Sequence, residues 1–136
     1  MLEADKIGAK VVAGDVEANA TLAGIKAAVS ELDFMRAMRT PMDPELEKLM
    51  EGKNFADVEA LKTREAATKV RQYIMSAAPP LAEVMLHKRD KFMAAELRKK
   101  CGEGTVVAVV GIAHLDGIVR EWEEYGGRQK DREVTE

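Results

Sequence analysis

Apolar positions along the chain form short stripes interrupted by glycine and proline. Leu2 to Ala9 reads as a helix closed at Gly8, followed by the apolar run Val11-Val12-Ala13 and the break Gly14-Asp15, so the pattern predicts helix, tight turn and buried strand. From Asn19, a residue type suited to N-capping, Leu22, Ile25, Val29 and Leu32 recur at helical spacing. Pro41 and Pro44 then break the pattern. Residues 33–44 read as a linker or bent helix end, and Glu45 to Met50 as a short helix ending at Gly52.

Asp57 to Ser76 lacks glycine and proline and carries a thin stripe of Ala60, Ala67, Val70 and Ile74, which predicts a closely packed helix. Pro79-Pro80 stops it and starts another over Leu81 to Lys100, with Gly102 as its C-terminal signal. The run Thr105 to Gly111 is continuous and β-branched, the pattern of a strand buried on both faces in a parallel sheet. Leu115, Ile118, Val119 and Trp122 repeat at helical spacing after it. The pattern therefore predicts an α/β fold, helix-rich, with two buried strands over residues 1–125 and a charged, disordered tail from Gly126 to Glu136. A strand apolar on both faces needs neighbours, so the sheet is expected to be completed by a missing N-terminal half or by another chain.

A length of 136 residues fits one domain with a real core. The single Cys101 excludes an internal disulfide and fits a reducing compartment. Lys plus Arg, at 21, is scattered among 24 acids, which argues against nucleic acid as a partner. The acidic start Glu3-Ala4-Asp5 does not read as a signal peptide, and the longest apolar run falls far short of the roughly 20 residues of a membrane span. A soluble, intracellular chain is the expectation.

Both predicted strands end in glycine near a polar group: Gly14-Asp15, and Gly111-Ile112-Ala113-His114. Ligands of open α/β sheets bind beyond the strand ends, so Asp15 and His114 would share a crevice; alternatively Asp15 satisfies a turn and His114 caps a helix. On the Leu81 to Lys100 helix, at about 100° per residue, the apolar arc is centred on Arg89 and Glu96. Charges so placed need partners. Arg89 either forms a buried ion pair, with Glu96 or a carboxylate of another element, or lines a pocket as an anion clamp with Asp90 beside it. Zinc-protease, Cys-x-x-Cys, nucleophile-elbow and P-loop motifs are missing from the sequence. His87 and His114 alone cannot complete an all-histidine zinc site. His87 reads as solvated, Cys101 as incidental, and the methionines as core filler.

The segments Pro79-Pro80-Leu81, His87 to Met93, and Val106 to Ile118 with Trp122 resemble the C-terminal half of the TraB domain family, which includes pheromone-shutdown proteins and is related to the TIKI proteases and GumN proteins. Ile7 to Asp15 with Thr21-Leu22 is similar to the family's middle region. The resemblance implies an α/β fold like that of the erythromycin esterase and ChaN group. It also implies metal-dependent hydrolysis of a peptide or protein substrate, with His114 as metal ligand or general base. Arg89 and Asp90 would share that site, Gly111 and Asp15 would contact the cofactor, and the metal would be a divalent ion such as Mn²⁺ or Zn²⁺. Eukaryotic members imply association with the mitochondrial outer membrane. Lys88 and Val16 stand where the family pattern has Glu and Arg, and the first of its two Gly-x-x-His motifs does not occur in this chain. These departures favour an alternative, a non-catalytic binding or membrane-contact scaffold that retains the fold.

Overall fold

The computed structural model describes residues 2–51, 59, 62–100 and 106–133. Helix α1, Leu2–Lys6, ends at Gly8, whose φ of 66° is left-handed. The amides of Gly8 and Ala9 reach back to the carbonyls of Asp5 and Ala4, so the glycine closes the helix as its position in the sequence implied. Helix α2, Ala18–Ser30, has Glu17 at its N-cap position, two residues ahead of the expected cap Asn19. Of the stripe of large residues, Ile25 and Leu32 are partly buried. Leu22 and Val29 are exposed while Ala28 is buried, and a Cβ on Gly24 would meet Val84 at 2.7 Å. Small residues therefore set how closely α2 approaches the chain around Val84.

The expected linker contains helix α3, Phe34–Arg39, capped by Asp33, whose carboxylate accepts from the Arg36 amide at 3.0 Å. Arg36 Nε in turn donates to the Ser76 carbonyl at 2.8 Å. Helix α4, Pro44–Glu51, starts on Pro44 behind Asp43, which accepts from the amides of Glu45 and Leu46, and it anchors itself through the buried Leu46. Helix α5, Arg64–Ala77, is capped by Thr63 and buries Ala66, Ala67, Arg71 and Ala77. Most of the expected start of this helix, and Cys101, Gly102 and Thr105, lie outside the described residues.

After Ala78 the chain forms one continuous rod: α6, Pro79–Ala82, a wide π-helical stretch, Glu83–His87, and α7, Lys88–Lys100. Helix α8, Ile112–Glu133, packs along α7 through Met93, Ala94 and Ile118, with Leu97 and Val110 at the edge. Arg98 tightens the contact, its guanidinium carbon lying 5.1 Å from the Trp122 ring centroid and 4.2 Å from that of Tyr125 while it donates to the Glu121 carbonyl.

The predicted α/β class is not what forms. Among the described residues no strand is present, and the two runs expected to be buried strands are connections with unladdered backbone. Val107 and Val109 are 85% and 95% exposed, and Val11 is exposed as well. A β-branched run favours strand only where a neighbouring strand and a pleated surface receive it. Neither run has such a neighbour among the described residues, so each lies as a wall beside α7 and the described chain is helical.

Candidate functional site

The site is assembled where α5 and α7 meet the first turn of α8. Asp90, in the first turn of α7, is fully buried. Its Oδ1 lies 2.7 Å from His114 Nδ1. Its Oδ2 lies 2.7 Å from Arg71 Nη2, a charge contact set off the hydrogen-bond direction. Arg71, 6% exposed, also donates from Nη1 to the Ala113 carbonyl at 3.1 Å. His114, 8% exposed, is fixed from both sides: its amide donates to the Gly111 carbonyl at 2.9 Å while its ring meets Asp90. A carboxylate at Nδ1 selects the tautomer that carries its proton there, which leaves Nε2 as the basic ring nitrogen.

Glycine makes this chain of contacts sterically feasible. At Gly117 an added Cβ would fall within the Asp90 carboxyl and 3.0 Å from Arg71 Nη1. The residue just before it, Asp116, accepts from Arg64 Nε at 2.7 Å and from Thr68 Oγ1 at 2.8 Å. Arg64, Thr68 and Arg71, at i, i+4 and i+7 on α5, thus grip the start of α8 together. The Thr68 and Arg64 contacts hold the Asp116 carboxyl below the usual carboxylate range.

In front of the buried trio lies a cleft of about 650 Å³, within the size range of small-molecule sites. Its sides are the segment from Lys10 to Asp15 and the segment from Val106 to His114, and Arg89, Met93, Glu96 and Leu97 of α7 form its floor. Arg89 donates from Nε and Nη2 to the two oxygens of Asp15, at 3.1 and 2.6 Å. Arg89 lines the cleft, as in one sequence reading, and pairs with a carboxylate of another element, as in the other. Glu96 pairs instead with Lys100. Asp15, Arg89, Asp90, Gly111 and His114 are therefore brought together, the first two across the cleft mouth and Asp90 behind His114.

Arg71 and Gly117 were not singled out by the sequence. Arg71 did leave a signal, since it stands between Ala67 and Ile74 at i+4 and i+7 of the same stripe, where an arginine needs a buried partner.

The Arg89 contacts hold the Asp15 carboxyl below its usual range, against a smaller opposing effect of burial. A carboxyl depressed in the folded chain stabilises it in full above the ordinary value of 3.8, and that contribution fades as pH falls through the lower folded value. Asp15→Asn is accordingly expected to cost up to ~1 kcal/mol near neutral pH, the scale of a partly exposed pair. Urea titrations of both proteins should show that difference shrinking in strong acid. A difference independent of pH would mean that the ion pair contributes nothing.

The TraB/PrgY/gumN family model matches residues 10–126. The chain belongs to this family. No curated protein and no solved structure matches it. The matched region of this TraB/PrgY/gumN member takes in both cleft walls, the buried trio and the Gly117 contact.

A divalent ion bound at His114 would find one nitrogen there, because Asp90 occupies the other. The remaining cleft carboxylates, Asp15 and Glu96, are held by Arg89 and Lys100. Among the described residues no group of three or more His, Cys, Asp and Glu side chains converges as a metal would require.

Proposed function

We propose that this TraB-family chain carries a hydrolytic, peptidase-like site in which His114 is the general base. The observation that supports this reading is the buried Asp90–His114 contact, which orients the imidazole and leaves Nε2 as the nitrogen available to the cleft. A base so held takes a proton from water as the water adds to an acyl carbon and returns it to the leaving group. In this reading water is the nucleophile. Arg71 is a positioning residue: it neutralises Asp90 from behind and ties that carboxylate to the carbonyl of Ala113, next to His114. Arg89 supplies the cleft's anion clamp.

The reading is tested with the full chain on a mixed peptide library, with products read by mass spectrometry. Cleavage is expected in the parent, and His114→Gln should lower it about 100-fold or more, the scale of a lost general base. Asp90→Asn should lower it too while substrate binding persists. Cleavage that survives His114→Gln unchanged would remove His114 from the mechanism.

The second reading, a binding scaffold without turnover, is favoured by one specific observation: Asp15 already occupies the anion clamp. Peptide binding without cleavage in the same assay would establish it. No helix among the described residues is long and apolar enough to cross a membrane.

A further inference from the structure

The Arg89–Asp15 pair is an intramolecular image of a ligand contact. Arg89 sits on the rigid floor of the cleft, on α7, and presents Nε and Nη2 as a fork to both oxygens of one carboxylate. That carboxylate arrives on the connecting segment between α1 and α2. From Lys10 to Val16 the only hydrogen bonds found from this segment to the rest of the described chain are those two; the other contact of the Asp15 carboxylate is to the neighbouring Val16 amide. Asp15 is itself exposed at the cleft mouth, so an incoming anion has access to the same fork.

Beyond Arg89 the cleft is lined largely by apolar groups, including Met93, Leu97, Val110 and Val12. The acid on the floor, Glu96, is neutralised by Lys100 and offers no competing repulsion of full strength. A bare inorganic anion would satisfy the fork and leave the apolar walls uncovered. A carboxylate carried at the end of an apolar body would satisfy both.

We infer that the cleft binds an apolar molecule by its terminal carboxylate at Arg89, and that Asp15 is the internal stand-in this carboxylate displaces. The inference names a ligand class for the site assigned above and rests on the cleft being a binding site, though not on turnover. Displacement exchanges one carboxylate for another on the same guanidinium, so the charge of the cleft floor is unchanged and the segment around Asp15 is released. Asp15 therefore acts as a competitor, and its removal raises the fraction of chain ready to bind.

The test is an NMR titration of the full, ¹⁵N-labelled chain with N-acetyl-leucyl-valine carrying a free carboxylate, with its C-terminal amide, and with inorganic phosphate. The free acid is expected to shift the Arg89 Nε resonance and to bind at least tenfold more tightly than the amide, the scale of a lost charge-assisted pair. Asp15→Asn should tighten binding of the acid about threefold to tenfold, the weight of a partly exposed ion pair. Arg89→Gln should abolish it while the remaining spectrum stays that of the folded chain. Equal binding of acid and amide, or an Asp15→Asn affinity that is unchanged or weaker, overturns the inference. Phosphate binding as tightly as the acid overturns the apolar half of it. His114→Gln separates this outcome from that of the hydrolase reading: if the acid still binds that variant and the parent cleaves nothing, only the hydrolase reading fails.

Discussion

Replacing Arg71 by methionine is expected to destabilise the chain by about 3 to 5 kcal/mol, the cost of stranding one charge of a buried pair. The position of Asp90 sets that magnitude. Its carboxylate is fully buried, and Arg71 is the cation in contact with it, His114 being the only other side chain among the described residues at hydrogen-bond distance. Methionine fills much of the arginine stem's volume, so cavity formation contributes little and the measured loss reports the charge. The double replacement Arg71→Met with Asp90→Leu removes both charges and should recover most of the loss in urea denaturation. On the proposed hydrolase reading it should recover no cleavage, because His114 then has no carboxylate at Nδ1. A cost below about 1 kcal/mol for Arg71→Met would place this pair with hydrated surface bridges and remove its positioning role.

The same pair shows what the sequence could and could not reveal. Helix ends were legible wherever a local signal sufficed, as at Gly8, Pro44 and Pro79, since capping and proline sterics act over a few residues. The strands were misread because a β-branched run states a preference whose fulfilment depends on neighbours elsewhere. The centre of the apolar arc on the long rod was displaced by one residue, from Arg89 to Asp90. A uniform turn angle assumes an unbroken α-helix, but the π-helical stretch at Glu83–His87 is wider and carries the phase along. The buried positions are Ala82, Leu86, Asp90, Met93 and Ala94, the first three spaced by four across the wide turn. Arg89 is thereby turned to the cleft and its neighbour to the interior. No wheel drawn on one helix could have shown that the interior position is matched by Arg71 of α5, because that pairing is tertiary.

Gly117→Ala is expected to reverse the usual sign of its class. In an ordinary helix interior this change stabilises by about 0.8 to 1.0 kcal/mol through lower backbone entropy in the unfolded chain. Here the new methyl falls within the Asp90 carboxyl and against Arg71, both buried and both fixed by further contacts. Overpacking alone costs about 1 to 3 kcal/mol. Pushing Asp90 out of register also separates it from Arg71 or His114, so the net loss should reach about 3 kcal/mol or more. Gly111, the glycine that the sequence did single out, supplies the contrast. A Cβ there meets His114 Cδ2 at 3.6 Å, an ordinary contact, so Gly111→Ala should stay within about 1 kcal/mol of the parent. Combining Gly117→Ala with Asp90→Ala should cost much less than the sum of the two, because the methyl then occupies the space the carboxylate vacated. Additive losses in that cycle would mean that α8 shifts away from α7 as a body, and that the glycine serves the approach of the two helices instead of the carboxylate between them.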